Sequence, residues 1–232
     1  MNTERIIQLT EDGSHTLFVP ALNEHYHSVN GAIRESIHVF INAGLREVRK
    51  DEIRILEIGF GTGLNALLSL QYAHDFPQKS ITYHTIERFP LGREITDCLN
   101  YGQAIAPEGE EWFREIHAAE WERPVEIIAN FTLVKIQGDS NRCPFPPDID
   151  LIYFDAFAPD KQPEMWQPAI FGKLFGIAAP EALIVTYCAK GEVRRRMQNA
   201  GFLPERLPGP PGKRHMLRGK KIPLFKKAAA FY

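Results

Sequence analysis

A glycine-rich stretch at residues 59–63 narrows the possible folds of this chain more than any other feature. It reads Gly-Phe-Gly-Thr-Gly, it directly follows the β-branched segment 53–58, and apolar residues resume at helical spacing from Leu64. Glycine permits positive φ angles and a close approach of the backbone to a ligand, which a Cβ would hinder. A strand that enters such a turn and leaves as a helix predicts a Rossmann-like sheet with a nucleotide-containing ligand at the turn.

The alternation of strands and helices continues along the chain. Apolar periodicity predicts strands at 16–19, 53–58, 81–87, 149–154 and 182–187, and helices at 31–45, 91–99, 108–121 and 191–200, with a further helix from Leu64. Residues 125–136 are typical of a hairpin, and the proline-interrupted segment Phe202–Phe225 is typical of an antiparallel pair at a sheet edge. Alternating strands and helices predict a mostly parallel α/β sheet with an antiparallel edge strand.

Composition limits the compartment and the partners. No apolar run approaches the roughly 18 residues that span a bilayer, and the polar start of the chain does not resemble a signal peptide. Three scattered cysteines and no histidine cluster argue against a disulfide framework and against a metal site. We therefore expect a cytoplasmic protein with no membrane partner and no metal.

Two acidic residues bear on the identity of the ligand. Glu57 enters the glycine turn, and Glu87 ends the next strand, where a carboxylate can accept hydrogen bonds from ribose hydroxyls. Dinucleotide enzymes place an acid similarly, so Glu87 alone leaves NAD and S-adenosylmethionine both open. The third glycine of a dinucleotide loop is absent, and Glu57 would repel a pyrophosphate but attract a sulfonium and an ammonium. These features favour S-adenosylmethionine and a Rossmann-like methyltransferase fold.

Two further acids follow strand ends. Asp139 comes after the third strand, where an acid can bind an adenine amino group, although Gly-Asp also occurs in plain turns. Asp155 ends the fourth strand, and ligands of open α/β sheets bind at the carboxyl ends of strands. We expect Asp155 to hold an amine, with helix or turn capping as the alternative.

Charge is distributed unevenly along the chain. From Lys190 to Tyr232 there are twelve Lys or Arg residues against two acids, whereas the whole chain has a net charge of −2. A basic region on an acidic body is either a solvated surface or a binding surface for a polyanion such as RNA.

Several motifs occur in the order found in one known family. They are Gly59–Asn65 (GFGTGLN), Ile86–Leu91 (IERFPL), Asp155–Pro159 (DAFAP) followed by Pro163–Trp166 (PEMW), and Arg194 through Phe202. The chain resembles, from about His15 to Lys221, the methyltransferase domain of the bifunctional MnmC tRNA wobble-uridine modification enzymes. The resemblance implies S-adenosylmethionine-dependent methylation of the 5-aminomethyl group of 2-thiouridine in the tRNA anticodon loop.

The resemblance also implies roles for individual residues. Asp155 would serve both cofactor and substrate amine, and Tyr26 would close over the cofactor. The other implied cofactor contacts are Glu57, Gly59, Gly61, Gly63, Asn65, Glu87 and Asp139. We expect residues 1–50 to be an extension that covers the cofactor site and residues 51–232 to be a single methyltransferase domain. We also expect no flavin-binding oxidase domain, so separate enzymes would supply the aminomethyl uridine.

Contacts to the RNA are predicted from residue type. Phe157 and Trp166 are candidate stacking faces for a base, although Trp166 equally suits the core. Candidate phosphate contacts, which also suit solvated surface, are Lys161, Lys213, Arg214 and Arg218. Two rival functions remain open from sequence: a polyamine-type aminopropyltransferase, and a non-catalytic module that binds RNA and cofactor.

Overall fold

The computed structural model describes residues 4–222, which form two sheets flanked by helices. The strands are β1 (Ile6–Leu9), β2 (His15–Val19), β3 (Glu24–His25), β4 (Glu52–Ile58), β5 (Ser80–Glu87), β6 (Pro124–Ile128), β7 (Phe131–Gln137), β8 (Ile149–Phe154), β9 (Ala178–Thr186), β10 (Phe202–Pro208) and β11 (His215–Lys221). The α-helices are α1 (Ala32–Ser36), α2 (Leu64–Asp75), α3 (Arg93–Thr96), α4 (Tyr101–Ile105), α5 (Gly109–Ala118), α6 (Pro168–Ile177) and α7 (Gly191–Ala200). Short 3-10 turns occupy Leu45–Glu47 and Pro163–Trp166.

The main sheet has eight strands in the order β10-β11-β9-β8-β4-β5-β7-β6. The five central strands are parallel, β6 is antiparallel at one edge, and β11 and β10 are antiparallel at the other. All six residues of β8 are buried, because helices cover both faces of a parallel sheet. The predicted fold class is confirmed, including the antiparallel pair at the edge.

The N-terminal residues form a separate three-stranded antiparallel sheet that packs on the body of the protein. Leu17 of β2 is fully buried in the same apolar cluster as residues of β4 and α2. The hydroxyl of Tyr101 donates to the backbone oxygen of His15 over 2.6 Å, and the amide side chain of Asn100 bonds to Gly13. The extension is therefore fixed against the helices that follow β5.

Some predicted elements differ from the structure. The helix expected at 31–45 is α1 followed by a π-helical stretch at Ile37–Asn42, and the helix expected at 91–99 is only the four residues of α3. Helix α6 was not predicted, because two glycines weaken its intrinsic helical preference and packing forms it instead. The predicted edge pair ends at Lys221, and Phe225 lies outside the described residues.

Within residues 4–222, every helix is too short or too polar to cross a bilayer.

Candidate active site

The glycine turn runs along the carboxyl edge of the parallel strands. Gly59 has a φ of 92°, and its N–H donates to the backbone oxygen of Ile86 over 3.0 Å. A Cβ at this position would lie 2.7 Å from the backbone oxygen of Asp155, so any other residue would push β4 and β8 apart. The turn thus brings the β4 end and the β8 end into direct contact.

Tyr26 of the N-terminal extension lies over this turn. A Cβ on Gly61, whose φ is 51°, would be 3.1 Å from a ring carbon of Tyr26. The Tyr26 ring packs edge-on against Phe157 with centroids 5.1 Å apart, and Arg5 donates to the Tyr26 hydroxyl over 3.2 Å. Two aromatic rings from distant parts of the chain therefore border the same edge of the sheet.

Two buried histidines hydrogen-bond to Thr62 of the glycine turn. The His27 ring hydrogen-bonds with the Thr62 hydroxyl over 2.7 Å, and the His117 ring donates to the Thr62 backbone oxygen over 3.1 Å. Burial lowers the pKa of both histidines to about 4, so both are neutral at physiological pH. Thr62 is buried, and its two partners fix the turn between the extension and α5.

Glu87 at the end of β5 is held by backbone donors. One carboxylate oxygen accepts from the Gly61 N–H over 3.1 Å, and the other accepts from the Phe89 N–H over 2.7 Å. A carboxylate accepts about four hydrogen bonds, so Glu87 can still receive two hydroxyl donors. Glu87 therefore lies beside the turn, and its role as a ribose contact stays a prediction.

Asp139 follows β7, the neighbour of β5, and lies close to Glu87. The Gly138 N–H donates to the Glu87 backbone oxygen over 2.9 Å, which links the two loops. The backbone N–H of Asn141 lowers the pKa of the Asp139 carboxyl, assisted by the Asn141 side chain and by Arg88 at 3.4 Å. Asp139 is therefore a fixed negative charge at the sheet edge.

Glu57 and Asp155 are joined through one amide. The Asn65 side-chain nitrogen donates to Glu57 over 3.0 Å and to Asp155 over 2.8 Å. Glu57 is fully buried and also accepts from the Thr85 hydroxyl over 2.8 Å. Burial raises the pKa of Glu57 well above its usual range. The buried Asn65 side-chain oxygen has no hydrogen-bond partner within the described residues.

Asp155 has the chemistry of a proton acceptor that works near neutral pH. Burial, and next the charge of Glu35, raise the pKa of the Asp155 carboxyl to about 7. The hydrogen bond from Asn65 and the charge of Lys213 act in the opposite direction. A group that is half ionised near pH 7 can hold an amine by hydrogen bonding and can also accept its proton.

Glu35 and Lys213 form an ion pair beside Asp155 that sequence reasoning did not predict. The Lys213 ammonium is 2.5 Å from the Glu35 carboxylate and 4.1 Å from the centre of the Tyr187 ring. The Tyr187 hydroxyl donates to the backbone oxygen of Ala156 over 2.9 Å. Glu35 is buried in α1, whereas Lys213 comes from the β10–β11 turn. No local pattern indicates this pair, because its members are 178 positions apart.

Three of the predicted RNA contacts need correction. Trp166 is fully buried, donates to the Phe157 backbone oxygen over 2.7 Å and packs on Phe154, so the prediction of a base-stacking face is wrong. Arg218 bonds to Glu205 and to the Ala43 backbone oxygen, so its charge is used within the protein. Lys213 is held by Glu35 at the site and is not a free surface cation.

The other predicted substrate contacts lie at the surface. Phe157 and Lys161 are partly exposed in the loop after β8, and Arg214 is exposed in the β10–β11 turn. All three lie at the carboxyl edge, on the side of the sheet that carries Asp155.

The carboxyl groups at this edge of the sheet are suited to bind S-adenosylmethionine. Carboxyl groups surround the glycine turn, and they belong to Glu87, Asp139 and Asp155. This arrangement suits the hydroxyls of a ribose, a sulfonium and an ammonium, and it opposes the double negative charge of a pyrophosphate.

Sequence comparison identifies relatives of most of the chain. A profile of a family of S-adenosyl-L-methionine-dependent methyltransferases matches residues 113–222. The chain is 31% identical over 212 residues to the tRNA 5-methylaminomethyl-2-thiouridine biosynthesis bifunctional protein MnmC of Pseudomonas aeruginosa. That match covers 86% of this chain and 32% of the relative. The chain is therefore similar to the MnmC-like S-adenosylmethionine-dependent methyltransferases. It spans about a third of the length of the curated relatives that it matches.

Two solved structures share the fold of this chain. The structure of MnmC2 from Aquifex aeolicus superposes with a TM-score of 0.80 at 24% identity, over 96% of this chain and 72% of that chain. Spermidine synthase from Thermotoga maritima superposes with a TM-score of 0.53 at 10% identity, over 95% of this chain and 73% of that chain. Both likenesses show a shared fold.

Proposed function

We propose that the chain transfers a methyl group from S-adenosylmethionine to the primary amine of a 5-aminomethyl uridine at the tRNA wobble position. The observation that carries the proposal is the Glu57–Asn65–Asp155 network next to the glycine turn. The name of the MnmC relatives refers to 5-methylaminomethyl-2-thiouridine. The methylaminomethyl group of that nucleoside is an aminomethyl group that carries one additional methyl. An acid that holds an amine beside a methyl donor is what this reaction requires.

The cofactor is assigned to the turn at 59–63. The backbone of the turn would lie against the cofactor, and Glu87 would accept hydrogen bonds from the ribose hydroxyls. Asp139 would accept from the adenine amino group, while the Glu57–Asn65 pair would face the cationic amino-acid end. Tyr26 would cover it, which assigns residues 1–50 the role of an extension over the site and the rest of the chain the role of the methyltransferase domain.

The reaction requires a neutral amine at the correct distance. S-adenosylmethionine supplies an electrophilic methyl group when bound. With the cofactor bound, the amine lone pair would form the new N–C bond, and the C–S bond would break with its electrons left on sulfur. An alkylammonium has a pKa near 10, so the amine arrives protonated and must lose one proton to solvent before its lone pair can attack. Ionised Asp155, with a pKa of about 7, accepts a hydrogen bond from the amine and stabilises the positive charge that grows on nitrogen.

The amine must reach Asp155 from an RNA strand. Bases of an anticodon loop are partly unstacked, so turning one base toward the protein costs little free energy. Phe157 is the aromatic ring next to Asp155 that remains partly exposed, and it is assigned to the uracil face. Formation of the aminomethyl group is assigned to a different active site.

The experiment uses tRNA that carries 5-aminomethyl-2-thiouridine and the full chain. With S-adenosylmethionine labelled in the methyl group, label should enter this tRNA and should not enter tRNA that lacks the aminomethyl group. Because spermidine synthase has a similar fold, transfer of an aminopropyl group is the alternative reaction that the experiment also tests. If decarboxylated S-adenosylmethionine is the better donor, or if the chain binds tRNA and cofactor without turnover, the proposal is wrong.

A further inference from the structure

We propose that four exposed arginines form one surface that binds the phosphate backbone of the tRNA next to the wobble nucleotide. They are Arg194 and Arg195 on α7, Arg206 on β10 and Arg214 in the β10–β11 turn. The inference rests on the proposed function and assigns it a docking surface, which is called the arginine surface below.

The register of the edge strands places Arg206 on the face covered by α7. Arg206 lies opposite Leu217 in the antiparallel β10–β11 pair, so the two side chains point to the same face of the sheet. Leu217 packs in the same buried cluster as Val193 and Met197 of α7. The arginines of α7 and the arginine of β10 therefore share one face.

Strand directions place the arginine surface at the edge that carries Asp155. Strand β9 is parallel to β8, and α7 begins shortly after its carboxyl end. Strand β11 is antiparallel to β9, so its first residue, and the turn with Arg214, lie at that same edge. Arg194 and Arg195 follow within the first turns of α7.

The ion pairs of this region leave these four arginines available. Glu192 pairs with Arg196 at 3.2 Å, Glu205 with Arg218 at 2.7 Å, and Asp160 with Lys190 at 2.5 Å. The acidic neighbours are thus occupied by other cations. Across residues 4–222, the arginine surface makes no salt bridge with a carboxylate. An exposed group of cations without acidic partners on an otherwise acidic chain fits a polyanion.

The distance between Asp155 and the arginine surface suits an anticodon loop. Strands β8 and β10 are separated by three steps in the sheet order, or about 14 Å at the usual strand spacing. A few nucleotides that flank a base placed at Asp155 can bridge this distance. Arginine is also the cation that matches phosphate with two parallel hydrogen bonds.

The test compares two double variants that remove the same charge. Arg194→Ala with Arg195→Ala removes two members of the arginine surface. Arg93→Ala with Arg114→Ala removes two exposed arginines from α3 and α5, near the other end of the sheet. The affinity for tRNA is measured between low and moderate salt, and log affinity is plotted against log salt concentration.

Each lost phosphate contact should make the slope of log affinity against log salt less steep by about 0.7 to 0.9. The slope of the α7 variant should therefore be less steep by about 1.4 to 1.8. The matched variant should keep the wild-type slope, and Arg194→Lys with Arg195→Lys should restore most of it. A wild-type slope in the α7 variant, or an equal loss in both Ala variants, would overturn the inference.

A separate readout distinguishes this failure from failure of the proposed function. Affinity for S-adenosylmethionine and turnover at saturating tRNA should remain near wild type in the α7 variant. A wild-type chain that methylates aminomethyl tRNA while the α7 variant keeps its slope refutes only the arginine surface. A wild-type chain that transfers no methyl group to this tRNA refutes the proposed function itself.

Discussion

Replacing Asp155 by Asn should stabilise the unliganded protein, even though it should damage catalysis. Asp155 is held in a region where burial and the charge of Glu35 disfavour its ionised form. Asn has nearly the same shape, carries no charge, and can present its side-chain oxygen to the Asn65 donor. The folded state therefore loses an unfavourable charge and keeps one hydrogen bond.

The magnitude follows from the pKa of Asp155. The value is about 7 in the folded protein and 3.8 for an unperturbed aspartate. One pKa unit corresponds to about 1.4 kcal/mol, so the ionised carboxyl destabilises the fold by at most about 4 kcal/mol. Because the residue is partly exposed, screening reduces this, and we expect about 2 kcal/mol. In a chain of this length that raises Tm by about 4 to 8 °C.

The pH dependence has a definite sign. A carboxyl with a raised pKa keeps its full contribution to stability below its unfolded pKa, near 4, and loses it as the pH rises through about 7. The advantage of the Asn variant should thus be small near pH 4, increase up to about pH 7, and stay constant above that. Thermal unfolding of both proteins at several pH values measures it.

Asp160→Asn is the control for this experiment. Asp160 is exposed and its pair with Lys190 is a surface salt bridge, so its loss should change the free energy of unfolding by less than about 1 kcal/mol. The stability gained by the Asp155→Asn variant over wild type should be larger at pH 8 than at pH 4. An equal gain at the two pH values would refute the claim that the ionised Asp155 carboxyl destabilises the folded state.

Three further substitutions test individual contacts of the site. Gly61→Val should weaken S-adenosylmethionine binding at least about tenfold in calorimetry, whereas Gly13→Val, also at positive φ but with open space around it, should not. Glu35→Gln should move the acidic limb of the kcat/KM profile to lower pH, because the Glu35 charge raises the pKa of Asp155, and an unmoved limb would contradict that cause. Trp166→Phe should cost about 1 kcal/mol of stability through the lost hydrogen bond and leave KM for tRNA unchanged.

Much of the site could be predicted because it is local in sequence. The glycine turn follows a β-branched strand directly, and parallel strands bring their carboxyl ends to one edge. Glu57, Glu87, Asp139 and Asp155 each lie at or just after a strand end, so strand prediction alone places them together. The edge pair was likewise visible from its prolines and apolar stretches.

The remaining parts depend on contacts that no local pattern encodes. Glu35 and Lys213 come from opposite ends of the chain, and only the packing of α1 beside the β10–β11 turn brings them together. Trp166 could be a stacking face or a core residue by its type, and its burial against Phe154 and α6 decides the question. By residue type Arg218 suits a solvated surface or a phosphate contact, whereas the strand register places Glu205 opposite it.

The most direct test of the proposed function is mass analysis of the wobble nucleoside after reaction. Transfer RNA that carries 5-aminomethyl-2-thiouridine is incubated with the chain and S-adenosylmethionine, then digested to nucleosides. We expect 5-methylaminomethyl-2-thiouridine to replace the aminomethyl nucleoside, and we expect Asp155→Ala to slow this conversion by about 100-fold or more. An unchanged wobble nucleoside with the wild-type chain, or a methyl group found on any other nucleoside, would contradict it.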